Sequence, residues 1–264
     1  MRRVIAISRA DPISLKVAEI LIESFGFKDN GRSTYIRNGV EIVFIDEKHI
    51  YAEMIGERLK ADLLIFPSSH KSERGIRAFL THPVGNWSGE ALYGGRPRTL
   101  SMTSAKMLKK SLQTLIDEVD TLGISGWDVR LEVTHHGPFT DVPSIFIEAG
   151  GGDQEIGRRE LEVVASASRA AAEVDFNGDK AAIGFGGGHY APTFTKLVSS
   201  DMYIVGHMCP KYALPIDIEM IKQAVEKTVE KPRIALIDWK GISSENRKSL
   251  LEELERLNLE IVKV

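Results

Sequence analysis

The sequence predicts one α/β domain over residues 1–264, built as a mixed, mostly parallel sheet between helical layers. Three observations predict it. Strand-like stretches alternate with amphipathic helical stretches along most of the chain. Residues 63–67, Leu-Leu-Ile-Phe-Pro, form a continuous apolar run of the kind found in strands buried on both faces. Asn38-Gly39 between two strand-like stretches signals an antiparallel hairpin, because a type I′ turn needs φ > 0 at both central residues.

Taken in order, residues 3–8 read as a short apolar strand. Pro12 then opens a helix over 13–25, with Leu15, Ala18, Leu21, Ile22 and Phe25 at helical spacing. The hairpin joins 33–36 to 40–45, a helix over 54–60 follows, and the apolar run makes the next strand. Residues 78–81 form a strand that delivers His82-Pro83, and 84–95 follow as a long loop without periodicity. Thr103 or Ser104 caps a long helix that Gly123 closes after Leu122. The apolar–polar alternation of 129–134 is a strand, 144–149 another, and 154–174 a second long helix. Strands over 180–185 and 202–206 come next. A helix over 215–229, a strand over 233–237, a helix over 243–257 and an edge strand over 260–264 complete the pattern.

The 264 residues are 43% hydrophobic and 27% charged, which suits a folded chain rather than a disordered one. A net charge of -3 argues against a protein coated in nucleic acid, yet leaves room for a local basic patch. The first apolar run is too short for a signal peptide, and no segment reaches the length of a membrane span. The expectation is a cytoplasmic protein without membrane contact. The lone cysteine, Cys209, excludes an internal disulfide and reads as a buried small hydrophobe.

The chemistry concentrates in where the histidines fall. Six of the seven, His70, His82, His135, His136, His189 and His207, stand just beyond predicted strands, and only His49 does not. A mostly parallel sheet would gather such residues along one edge, where open α/β sheets bind ligands. Neutral imidazole is the commonest metal ligand and suits zinc. Glu132 and Glu148 interrupt otherwise apolar strands, and a buried carboxylate is costly unless paired, hydrogen-bonded or metal-bound. Either serves a salt bridge or a general base equally well. The glycine-rich turn Gly184-Phe185-Gly186-Gly187-Gly188 suits a close backbone approach to a phosphate or oxyanion. It is no dinucleotide fingerprint, since His189 stands where the third glycine belongs. Lys106, Lys109 and Lys110 crowd one helix and read first as a solvated face.

The segments Ser68-Ser69-His70-Lys71-Ser72, Thr81-His82-Pro83 with Gly85-Asn86-Trp87, Glu132-Val133-Thr134-His135-His136-Gly137-Pro138, Phe146-Ile147-Glu148, Gly187-Gly188-His189-Tyr190-Ala191-Pro192 and Gly206-His207 with Pro210-Lys211-Tyr212 resemble, in order, the archaeal and plant zinc-dependent D-aminoacyl-tRNA deacylases. Where that family continues Ile-Gly-Ser after the glutamate, this chain has Ala149-Gly150-Gly151. The resemblance implies hydrolysis of the ester between a D-amino acid and tRNA, two zinc ions per chain, and an α/β fold like that of purine nucleoside phosphorylases and zinc carboxypeptidases.

On this reading His70, His135, His189 and His207 are the metal ligands, with Glu132, Glu148 and His136 as the catalytic groups. His82, Asn86, Gly187, Gly188 and Tyr190 are expected to bind substrate, and the chain to act as a monomer with no obligate protein partner. The loop 84–95 and the turn 186–189 are the candidates for the wall that refuses L substrates. Two other classes fit the same residues: a zinc amidase or peptidase on small substrates, and a nucleotide- or RNA-binding module with a structural metal.

Overall fold

A computed structural model describes all residues except 32, 72–74, 152–154 and 177–179. The first half of the chain runs β1 (Arg3–Ser8), α1 (Pro12–Ser24), β2 (Lys28–Asp29), β3 (Tyr35–Arg37), β4 (Val40–Ile45), α2 (Ile55–Leu59), β5 (Leu63–His70), β6 (Ala78–His82), β7 (Gly85–Asn86), β8 (Thr99–Leu100) and α3 (Ala105–Leu122). The second half runs β9 (Asp128–Leu131), β10 (Ser144–Gly150), α4 (Arg158–Ala172), β11 (Ala181–Phe185), α5 (Pro192–Ser199), β12 (Ile204–Cys209), α6 (Ile218–Glu226), β13 (Ile234–Ile237), α7 (Ser244–Arg256) and β14 (Glu260–Lys263). The α/β class and the mostly parallel pairing are as the sequence predicts.

The strands do not form one sheet. Eight make a mixed sheet in the order β2-β3-β4-β1-β5-β10-β6-β9, four make an all-parallel sheet in the order β12-β11-β13-β14, and β7 pairs with β8 alone. The large sheet buries Ile65, Ile145 and Ile147 against α1, α3 and α4, while Leu64, Phe66 and Phe146 point to its other face. Pairing along β5 and β10 aligns Phe66 with Phe146 and Ser68 with Glu148, so these side chains share that second face.

Local signals decide the helix ends. Ser104 caps α3 through its hydroxyl and Gly123 closes it at φ 59°, while Asn38 and Gly39 take φ 49° and 79° in the hairpin. Asp217 accepts from Met220 N, so α6 begins later than position 215, and α4 begins at Arg158. Two strand expectations are corrected. Sheet pairing of β9 stops at Leu131 instead of continuing to Thr134, because Val133 and Thr134 donate their N–H groups to His189 O and Met208 O. Residues 132–134 thus stitch the two sheets together. β12 lies two residues later than expected, so His207 is inside a strand and not beyond one.

Candidate metal centre

The site grows from the second face of the large sheet. Alternation along β5 puts Ser68 and His70 on the face that carries Glu148 of β10, and His82 at the end of β6 stands opposite Phe146. β6 is antiparallel to β10, so His82 arrives from the other direction. The imidazoles gather over a face rather than along one edge. The stitch 132–134 carries Glu132 to them, and the turn after it adds His135 and His136, whose φ of 43° lies in the left-handed region. His189 enters from the small sheet, beyond β11. Gly137 leaves no room for a side chain, because the backbone of Gly94, Gly95 and Ile50 lies against its α-carbon.

Glu132 is the centre of the cluster. It is fully buried, with His189 Nε2 3.2 Å from Oε1, and with His82 Nε2 and His135 Nε2 each 4.0 Å from Oε2. Neither of its oxygens has a hydrogen-bond partner among the described residues, and neither do His70 Nε2 and His82 Nε2. Groups buried without partners cost free energy that a cation recovers. Three rings are already set for one. His82, His135 and His136 place Nδ1 3.0, 2.9 and 2.7 Å from the carbonyls of Pro83, Val133 and Gly137, so Nδ1–H donates and Nε2 is turned away from these carbonyls. Three overlapping sets bring ligand atoms within 4.8 Å of one another: His82–His135–His136, Glu132–His135–His189 and His70–Glu132–Glu148. The donor set of imidazoles and carboxylates fits zinc.

Electrostatics separates these groups. Burial drives the pKa of His135 well below its ordinary value, and the neighbouring imidazoles His82, His136 and His189 push the same way. Burial takes His136 down to about 3, assisted by His82. Burial also opposes charge on His70 and His82, but the carboxylates of Glu148 and Glu132 outweigh it and raise both. Burial disfavours the anion of Glu148, yet the imidazoles of His70 and His82 beside it hold its pKa well below the usual range. The Ser68 hydroxyl donates to Glu148 Oε1 at 2.7 Å, and His70 Nδ1 lies 3.3 Å from Oε2.

His207 stands outside this cluster. Its Nε2–H donates to Ser101 O at 3.0 Å, and Nδ1 accepts from the Thr134 hydroxyl at 3.1 Å, so no lone pair remains for a metal. It is a fully buried neutral ring with a pKa lowered to about 3 by burial. His82, expected to touch substrate, is fully buried behind the carboxylates. Asn86 spends its amide on Gly94 O and Arg96 O, shaping the loop rather than facing the cluster. Gly187 has φ 73°, a side chain at Gly188 would meet nothing within 4 Å, and the Tyr190 ring lies against His70 and His189 at the mouth.

Sequence reasoning missed Ser68 and Tyr212 as members of the site. The spacing Ser-x-His on a strand was the signal for the first. Tyr212 stands in the Pro210-Lys211-Tyr212 motif, but nothing local ties its hydroxyl to His189 Nδ1, which it meets at 3.0 Å. The lysine cluster of α3 lines a separate cavity of about 440 Å³ with Arg169 and Glu173, and Lys109 pairs with Asp201 at 2.6 Å. None of the cluster's histidines borders that cavity. Cys209 is fully buried, and burial pushes its thiol pKa up. Ser72, the last residue of the first motif, lies outside the described residues.

The sequence profile of D-aminoacyl-tRNA deacylases matches residues 57–262. The curated D-aminoacyl-tRNA deacylase of Thermococcus kodakarensis is 35% identical, the alignment covering 99% of each chain. That of Pyrococcus abyssi is 33% identical over the same shares. A crystal structure of a conserved protein of unknown function superposes with a TM-score of 0.88 at 29% identity, covering 98% of this chain and 94% of the other.

Proposed function

The chain belongs to the D-aminoacyl-tRNA deacylase family, and from that premise we propose that it hydrolyses the ester between a D-amino acid and tRNA with zinc as cofactor. The observation that carries the zinc reading is Glu132, a fully buried carboxylate without a hydrogen bond among the described residues, which faces the Nε2 atoms of three imidazoles. Glu132, His135 and His189 would hold the ion. In this set His189 is 38% and His135 24% exposed, against 9% or less for His70, Glu132 and Glu148, which leaves a side open for water and ester. Zinc, when bound, lowers the pKa of water and polarises an ester carbonyl.

The other residues handle protons and shape. Glu148, ionised at neutral pH and fixed by Ser68, accepts the proton of the attacking water. His70, whose raised pKa favours its protonated form, supplies one to the departing ribose oxygen. His82 and His136 line the buried wall of the cluster. A second ion in the His70–Glu132–Glu148 set is the other arrangement these groups support. A zinc content of one per chain favours the proton-handling pair, and two puts His70 and Glu148 on a metal.

The wall that separates enantiomers is assigned to the loop 84–95, whose Tyr93 carbonyl accepts from Gly137 N, and to the turn 186–189 that carries His189. Excluding an L side chain by clash needs no pocket for the D one, so tolerance among D side chains follows. We take residues 1–264 as one deacylase domain, and a tRNA substrate fits a cytoplasmic enzyme. Among the described residues no helix is long and apolar enough to cross a membrane. The test is hydrolysis of D-tyrosyl-, D-aspartyl- and L-tyrosyl-tRNA with and without chelator. Cleavage of both D forms that chelator abolishes is expected, and cleavage of L as fast as D would overturn the reading.

A further inference from the structure

The C-terminal edge of the small parallel sheet carries two lysines that the proposed ester hydrolysis does not use. The turn Gly186-Gly187-Gly188 leaves β11 there, with φ of 104° at Gly186 and 73° at Gly187. Lys211, just beyond β12, donates its backbone N–H to Gly187 O at 3.0 Å. Lys240 follows β13, and the next residue, Gly241, packs against Gly187 with the Asp238 carboxylate lying beside both glycines. Both lysines are exposed, and neither has a carboxylate partner among the described residues. By contrast, the lysines of α3 share their cavity with Glu173 and Asp175. Beside Lys211 stands Tyr212, 64% exposed, with its hydroxyl against His189 of the proposed metal set.

We propose that this edge is the docking platform for the single-stranded 3′ end of the RNA, with Lys211 and Lys240 on successive backbone phosphates and the Tyr212 ring under a base. The inference rests on the proposed function only for the identity of the RNA. Its physical content is two lysines without carboxylate partners among the described residues, on either side of Gly188, the open position of the turn, at the strand ends where parallel sheets take ligands. The Asp238 carboxylate beside Gly187 is engaged by Gly241 N–H and the Thr193 hydroxyl. The turn supplies close backbone approach, because a side chain at Gly188 would occupy open space and Gly188 itself leaves that space to the strand. The geometry also explains how one substrate is held at two points. Its ester lies at His189, and its phosphates lie on lysines attached to the same turn.

The test is the double variant Lys211→Gln/Lys240→Gln, compared with wild type on three readouts. Titration of a fluorescent single-stranded oligoribonucleotide against salt should give a log–log slope shallower by about 0.7 for each phosphate that no longer meets a lysine, about 1.4 for the pair. kcat/KM for D-tyrosyl-tRNA should fall at low salt and converge on wild type at high salt. Hydrolysis of D-tyrosine ethyl ester, which carries no phosphate, should keep the wild-type rate. An unchanged salt slope overturns the platform, and so does an equal fall in rate on the ester and on tRNA. If wild type cleaves no D-aminoacyl-tRNA, the proposed function falls, while the oligoribonucleotide titration still decides the platform.

Discussion

Replacing Glu132 by Gln should stabilise the metal-free protein and remove most of the stabilisation that zinc gives. Without metal, the wild-type carboxylate is fully buried and has no hydrogen bond among the described residues, a penalty of about 1–3 kcal/mol for an unsatisfied group and more for a charged one. The amide is neutral and nearly the same shape, so the variant sheds part of that cost. At about 2–4 °C per kcal/mol for a chain near this size, the chelated variant should melt roughly 2–10 °C above chelated wild type. Zinc at a thousand times its Kd stabilises wild type by about 4 kcal/mol through mass action, roughly 8–16 °C on the same scale. The variant lacks the ligand shared by two of the three sets and should gain far less. Differential scanning calorimetry with and without zinc, together with metal analysis of the dialysed protein, reads both limbs. A variant that keeps the zinc-induced gain, or that melts below wild type in chelator, would refute the assignment of Glu132 as a buried ligand.

Two further outcomes follow from the geometry. Ser68→Ala removes the 2.7 Å hydrogen bond to buried Glu148, so kcat/KM for D-aminoacyl-tRNA should fall about ten- to a hundredfold while zinc content holds; steady-state kinetics beside metal analysis checks it. His207 has a folded pKa of about 3, below the ordinary value of about 6.5, so the unfolded chain takes up its proton first as pH falls. Its contribution to stability is present above about pH 6.5 and is lost towards pH 3, at up to about 1.4 kcal/mol per pH unit. Urea unfolding of metal-free protein between pH 7 and pH 4 should show the slope, and His207→Gln should flatten it by about one proton.

What was legible in the sequence by itself was whatever is encoded within a few residues. Asn38-Gly39 takes positive φ in any context that admits a hairpin, Ser104 and Gly123 delimit their helix, and the apolar run of β5 is buried wherever it lies. The resemblance rests on the same short motifs, which keep their order along the chain. Tertiary structure decided which histidines meet. His70, His82 and His207 look alike in sequence, each near the end of a strand-like stretch, but pairing register aims the first two at Glu148 and points the third at Thr134 and Ser101. The division into two sheets had no local signature either, because Val133 and Thr134 alternate like any strand and only the carbonyls of His189 and Met208 draw them away from β9's partner. A side chain's chemistry is local, whereas its partners depend on long-range register. That is why the sequence named the imidazoles and carboxylates, and only the fold placed Glu132 among them.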